Sequence, residues 1–298
     1  SYESLRDHFL TQPDYLQVWP THGEGSACGK ALGAVPCSTV GYERLTAWWS
    51  PLLEARDPEG FVARLLEGQP DAPLYFARMR RTNTEGPPIL GLRPALRSFS
   101  AAELRGRVNA DLILVDTRPV EEHRADHVPG ALYIPEGRKF ATMASSALDP
   151  DADTRPLVVL ARDQAQAHWM RDRLSWVGID NVVGYVSDLE GLLAGPLPTV
   201  APTDLGRVAD ALVVDVRNAN EFRAGHIPGA MQLDSGRVAY RSDLIPRDRT
   251  LVVHCQTGRR ASVAAAVLRA RGFADVRELE GSFPAWVQAG NHPEVTPS

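Results

Sequence analysis

Two stretches of this chain repeat each other, and that limits the fold more than any other feature. Ile113–Pro135, ILVDTRPVEEHRADHVPGALYIP, aligns without a gap with Leu212–Asp234, LVVDVRNANEFRAGHIPGAMQLD. Asp116 meets Asp215, Arg118 meets Arg217, Glu122 meets Glu221, and His127-Val-Pro-Gly-Ala meets His226-Ile-Pro-Gly-Ala, at an offset of 99 throughout. A second match, at offset 94, pairs Leu157–Gly178 with Leu251–Gly272. Residues 98–198 and 199–298 therefore read as two copies of one domain.

Each copy carries the same signals. Ser100-Ala-Ala-Glu103 is a capping box and starts a helix. LILVD, LVVD, LVVLA and LVVHC are short, continuous apolar runs, as expected of strands buried on both faces of a parallel sheet. The runs ending at Ala161 and Cys255 lead into helical patterns. Met170, Leu174 and Val177 form the apolar face of one, closed by Gly178. Val263, Ala264, Val267 and Leu268 form that of the other, closed by Gly272. Strands alternating with helices predict an α/β fold, with each copy a doubly wound parallel sheet flanked by helices. In the His-x-Pro-Gly turn, proline fixes its backbone and glycine supplies positive φ, so the chain reverses. Asp215, Arg217 and Glu221 are expected to form an internal ion-pair set that supports this turn together with His226.

The second copy places Cys255 at the carboxyl end of a buried strand, facing a helix N-terminus, where open α/β sheets put ligands. Six residues, Cys255 to Arg260, precede the expected helix. The amides of Gln256, Thr257, Gly258, Arg259 and Arg260 can converge on the sulfur as an anion nest. The helix end adds positive potential. Gly258 permits the tight curve, and Arg259 and Arg260 supply fixed charge. Such surroundings favour a thiolate, the nucleophilic form of cysteine. A buried structural cysteine would need neither the glycine nor the arginines. His254 is expected on the opposite side of the strand, as packing and not as a base. In the first copy Ala161 stands in place of the cysteine, and its loop, Ala161-Arg-Asp-Gln-Ala-Gln166, has no glycine and carries Asp163. That copy keeps the pattern of the fold without the nucleophile.

These residues resemble the rhodanese family. Asp215-Val-Arg with Glu221-Phe-Arg-Ala-Gly-His226-Ile-Pro-Gly-Ala230 resembles its first signature. Cys255-Gln-Thr-Gly258-Arg-Arg260-Ala-Ser262 resembles its active-site loop, Cys-x-x-Gly-x-Arg-[Ala/Ser]. Leu279–Gly290 resembles its closing segment, with Ser282 where a second glycine is common. The resemblance implies a sulfurtransferase in which Cys255 takes sulfane sulfur from thiosulfate or a persulfide and passes it to a thiol or cyanide. It also implies that the inactive copy packs against the active one. Phosphatases of the same fold have one more loop residue; here Arg260 lies five positions after the cysteine and Ala261 six, a shorter cradle that suits sulfur. A sulfur carrier or interaction module without turnover is the competing reading. His123 and His127, four apart, would face each other as metal ligands only on a helix, and no metal site is assigned to them.

The first hundred residues belong to neither copy. Val18–Gly33, with Thr-His22-Gly, and Ser38–Trp49 resemble the C-terminal end of metallo-β-lactamase-fold hydrolases fused to rhodaneses, as in persulfide dioxygenases. In that family the matching histidine lies at a metal centre. The motif His-x-His-x-Asp-His is absent from this chain. Residues 1–50 thus read as a partial metallo-β-lactamase-like segment of a trimmed fusion, and 51–97 as a helical segment and linker. No cofactor is expected in this chain; the missing domain would carry iron or zinc. Asp57 with Pro58 caps a helix, and LYFARMRR predicts a second with Arg78, Arg80 and Arg81 on a solvated face. The apolar side of this region, which would pack on the hydrolase domain, is expected to be exposed.

A net charge of −5 asks for neither nucleic acid nor an anionic membrane as partner, and no apolar run reaches the roughly 18 residues of a membrane span. The partners expected are a small-molecule sulfur donor and a thiol acceptor. The sparse cysteines (Cys28, Cys37, Cys255) and a start with no secretion signal suit a reducing, cytoplasmic setting.

Overall fold

The computed structural model describes residues 1–21, 35–67 and 74–295. His22 and Cys28 lie outside the described residues. Two compact units are present, Ser1–Asp71 and Ala72–Ser298.

In the smaller unit β1 (Gln17–Val18) pairs antiparallel with β2 (Ser38–Thr39). Helices follow at Val40–Thr46, Ser50–Glu54 and Pro58–Leu66. Thr39 caps the first through the Tyr42 amide, and Asp57 caps the third through that of Gly60, with Pro58 in its first turn. Phe61 is buried between Tyr2 and Trp48, with ring centroids 5.4 and 5.5 Å away. Trp19 and Leu45 are 69% and 86% exposed, an unusual load of bare apolar surface for so small a unit.

The larger unit opens on a helix, Tyr75–Glu85. Its Arg78 does not lie on a solvated face as the sequence suggested. It donates to the Gly178 carbonyl at 3.0 Å and stands 3.5 Å from Asp151, so the helix is fastened to the first copy. That copy has β3 (Arg97–Phe99), β4 (Ile113–Asp116), α1 (Val120–Ala125), β5 (Leu132–Tyr133), a helix at Phe140–Ala147, β6 (Leu157–Leu160), α2 (Gln164–Ser175) and β7 (Val182–Val186). The second copy has β8 (Thr199–Val200), β9 (Leu212–Asp215), α3 (Ala219–Ala224), β10 (Met231–Gln232), β11 (Leu251–His254), α4 (Arg259–Ala270), β12 (Val276–Leu279) and α5 (Ser282–Gln288). The sheets run β3-β7-β6-β4-β5 and β8-β12-β11-β9-β10, the same order twice, with every pairing parallel. The central strands β4, β6 and β11 are buried along their whole length, which is why they read as unbroken apolar runs. Among the described residues no helix is long and apolar enough to cross a membrane.

The Asp-x-Arg pairs do the same work in both copies. Arg118 binds Asp116 and donates to the Asp126 carbonyl at 2.7 Å; Arg217 binds Asp215 and donates to the Gly225 carbonyl at 2.8 Å. Each arginine thereby ties the strand end to the turn that follows. His226 adds a stack on Phe222, 3.8 Å between centroids, and an Nδ1 contact of 2.9 Å with the Phe222 carbonyl. Burial alone would raise the Asp116 carboxyl, but bonds from His123 and Arg118 outweigh it and hold the carboxyl at about 2. The ionised form is thus favoured by folding. Its stabilisation is complete above the unfolded value near 4 and is lost as pH falls from about 4 to about 2, a contribution on the order of 2 kcal/mol. Asp116→Asn is expected to flatten the acid limb of the stability curve over that interval. An unchanged limb in urea melts at stepped pH would contradict this.

One helix departs from the usual amphipathic plan. Every residue of α4 from Ala261 to Leu268 is buried. One side lies on β11 and β12 of its own copy, the other on β5 and the Phe140–Ala147 helix of the first copy. A helix that is apolar all round belongs inside a core, and the two copies share one: Leu132, Tyr133 and Phe140 join the same cluster as Val263, Val267 and Leu268. Asn109 donates to the Ala270 carbonyl at 2.9 Å, securing the end of α4 from across the junction.

Candidate active site

Cys255 follows directly on β11, and α4 begins at Arg259. The loop is shorter than the sequence suggested: Gln256, Thr257 and Gly258 complete it, and Arg259 and Arg260 are already the first helical residues. Gly258 makes this possible. It sits at the N-cap with φ +83°, a left-handed conformation that a β-carbon disfavours. The Gly258 N–H donates to Cys255 Sγ at 3.1 Å. Of the expected ring of amides, it is the one at hydrogen-bond distance from the sulfur among the described residues. Gln256, Thr257 and Arg259 are exposed.

Arg260 is not a free charge. It makes a two-pronged pair with Glu221, 2.7 Å on each prong, a geometry that fixes the guanidinium plane. Glu221 also completes a capping box with Asn218 at the start of α3. The expected ion-pair set therefore divides: Asp215 and Arg217 hold the turn, while Glu221 holds Arg260. The bond from Arg260 keeps the Glu221 carboxyl below its usual range, and Glu221 in turn keeps Arg260 firmly charged.

His254 is fully buried, 3.6 Å from Asp215 Oδ2, and burial lowers its pKa. A neutral ring packed near Phe283 fits the expected packing role. Cys255 itself is 0% exposed.

Several partners of the loop escaped the sequence reading. Arg124, from α1 of the first copy, binds Glu278 Oε2 at 2.7 Å and Ser262 Oγ at 3.0 Å. Ser262 Oγ lies 2.7 Å from Glu278 Oε2 and 3.1 Å from the Gly258 carbonyl. A β-carbon on Gly258 would stand 2.9 Å from the Arg124 guanidinium. The copy without a cysteine thus reaches the back of the loop. From the other side, the Phe283 N–H donates to the Cys255 carbonyl at 3.1 Å, and the Cys255 N–H points at Ser282 Oγ, 3.4 Å away. Ser282 holds φ +59° where the sequence shows a departure from glycine, the one available hint of this contact. Arg124 gave no hint, because its repeat counterpart Arg223 is an ordinary exposed residue.

In the first copy Ala161 occupies the cysteine's place and is buried. Asp163 is the N-cap of α2 and accepts the Gln166 N–H at 2.8 Å. The helix end that the second copy begins at Gly258, without a side-chain cap, is here capped by the chain's own carboxylate.

Two parallel α/β domains, one of them presenting a loop-held cysteine at a strand-to-helix turn, define the class of protein. The chain belongs to the rhodanese-like domain family, which matches it at residues 100–191 and 202–289. A thiosulfate sulfurtransferase GlpE of Shewanella oneidensis is 42% identical over 77 residues, 26% of this chain and 76% of that protein. A thiosulfate sulfurtransferase of Azotobacter vinelandii is 26% identical over 259 residues, 65% of this chain and 94% of the other. A solved metallo-beta-lactamase of Staphylococcus aureus superposes with a TM-score of 0.43 at 29% identity, covering 62% of this chain and 48% of that one.

Proposed function

We propose that the chain is a sulfurtransferase with Cys255 as its catalytic residue. The Cys255 thiolate attacks the outer sulfur of thiosulfate. The thiosulfate S–S bond breaks, sulfite leaves with the electron pair, and Cys255 holds the sulfur as a persulfide anion. Cyanide or a thiolate then takes that sulfur and returns the Cys255 thiolate. A low-molecular-weight persulfide serves as donor in the same way, with its thiolate as leaving group. The observation that carries the reading is the Gly258 N–H aimed at Cys255 Sγ from 3.1 Å, at the head of a long helix. An amide donor and a helix N-terminus both favour a sulfur anion. Gln256, Thr257 and Arg259 are exposed beside the buried sulfur, and Arg260 holds its charge in place through Glu221. The relatives named for thiosulfate transfer support the same chemistry.

Mass spectrometry tests this. Incubation with thiosulfate should add one sulfur, about 32 Da, to the Cys255 peptide, and cyanide should remove it as thiocyanate. An unmodified peptide would overturn the reading, and a persulfide that cyanide cannot discharge would favour a carrier without turnover. Because the sulfur is covered, alkylation of Cys255 by iodoacetamide is expected to run much more slowly in the folded chain than in urea. Equal rates would show an open thiol.

The setting belongs to the same proposal: one part of a metallo-β-lactamase-fold fusion in sulfide or persulfide metabolism, with the metal on the other domain. The pattern of the first 50 residues and the bare Trp19 and Leu45 support it.

A further inference from the structure

A cleft of about 250 Å3 lies where the two copies meet, well away from the Cys255 loop. Its walls are α1 and the His127–Ala131 turn of the first copy, the link at Leu197, and the end of α4 with Phe273. Arg269 stands ten residues along α4 from the first helical residue, about 15 Å at the helical rise.

Three nitrogen-bearing side chains line this cleft, and in two of them a buried nitrogen has no partner among the described residues. His123 is 2% exposed and stacks on Tyr133. Its Nδ1 lies 2.9 Å from Asp116, and its Nε2, on the opposite edge of the ring, has no partner among the described residues. Arg269 gives its Nε and one terminal nitrogen to the Val276 carbonyl, at 3.2 and 2.8 Å. Its other terminal nitrogen is buried and unpartnered, and no carboxylate comes within ion-pair distance among the described residues. His127 Nδ1 lies 2.8 Å from the Gly195 carbonyl, so this nitrogen carries the proton and Nε2 is left for another contact.

A buried guanidinium bonded to one carbonyl is an unfinished arrangement, since a buried charge is costly without a counter-ion. The nearby acids are committed elsewhere. Asp116 holds His123 and Arg118, Asp126 accepts the Gly195 N–H, and Glu278 Oε2 holds Arg124 and Ser262. Glu278 Oε1 is unpartnered, and Glu278 acts on Arg269 only from a distance. Arg269 is therefore the fixed charge of this wall, with apolar flanks from Val128, Leu197 and Phe273. A cavity of about 150 Å3 can hold a benzene-sized guest, so this one has room for a tetrahedral anion.

We infer that this cleft is a second binding site, for a compact oxyanion held by Arg269 and, with a proton taken up at Nε2, by His123 and His127. It does not depend on transfer chemistry at Cys255. That chemistry bears on the source of the anion: thiosulfate and sulfite are oxyanions of this kind, and so is inorganic phosphate. An anion seated here joins the first copy, the link and the active helix.

The experiment uses the full chain carrying Cys255→Ala, so that thiosulfate is not consumed. The imidazole resonances of His123 and His127 are followed by nitrogen-detected NMR during titration with thiosulfate, sulfite, phosphate and chloride. His127 is held below its usual range by burial, with the charges of Arg269 and His123 adding to the effect. A bound oxyanion should raise its titration midpoint saturably, where chloride at equal ionic strength does not. Arg269→Gln should weaken the oxyanion effect roughly tenfold or more, as loss of one charge-assisted contact predicts; Arg260→Gln, at the Cys255 loop, should not. Tighter binding of the sulfur anions would identify the source as the reaction's own species, and tighter binding of phosphate a separate one. No saturable change, or equal binding in Arg269→Gln, overturns the site. The resonances of the chain with Arg269 intact decide the question even if that variant does not fold.

Discussion

Cys255→Ala is expected to stop sulfur transfer from thiosulfate to cyanide, lowering turnover by roughly a thousandfold or more, as removal of a covalent nucleophile does. The fold should survive. Alanine already fills the matching position of the first copy, where Ala161 is buried at the end of β6 without disturbing α2. Cys255→Ser should be equally inactive, because its oxygen is not ionised and cannot form a persulfide. Thiocyanate production is the measurement, with a thermal melt alongside it. Turnover above the blank in a folded Cys255→Ala chain would rule out this mechanism.

The second large effect is expected at Arg124, in the copy that lacks a nucleophile. Glu278 is 1% exposed and has Arg124 as its cationic contact. Arg124→Ala removes the partner and leaves the carboxylate buried, which costs about 3–5 kcal/mol when one half of a buried pair is deleted. For a unit of this size that is a fall in melting temperature of roughly 10 °C. The companion change Glu278→Gln should recover much of the loss, because the stranded charge is gone. A double-mutant cycle by calorimetry measures this coupling. If Arg124→Ala melts with the parent chain, the bridge between the copies carries no weight. Because the same guanidinium backs Gly258 and Ser262, thiocyanate production should fall too.

Much of this architecture is written locally, and that part was legible. The strands are short and wholly apolar because both faces are covered, and the turns between them use proline and glycine at fixed places. The doubled order of strands follows from the doubled pattern. The capping box at Ser100 and the cap at Asp57 involve neighbours a few residues apart. What stayed hidden joins residues far apart in the chain. Arg124 meets Glu278 across 154 positions, and arginine and glutamate are too common for such a pair to stand out. Glu221 was grouped with Asp215 and Arg217 because all three lie in one motif, yet its geometry serves Arg260 on another helix. The expected loop is two residues too long because the sequence reading places Arg259 and Arg260 in it as loop charges. With Gly258 as the cap, the helix takes them at once. The solvated face assigned to Arg78 failed for the same reason as Arg124: its partner at Gly178 is distant in sequence.

The helix that begins beside the sulfur has no wet side. Part of its covering belongs to the domain with Ala161 where the other has Cys255, so the two halves cannot be inherited separately without penalty. A chain reduced to the half with Cys255 would present Val263, Val267 and their neighbours to water and would clump, unless those positions first turned polar. The half that carries Ala161 thus serves as a wall for the half that carries Cys255.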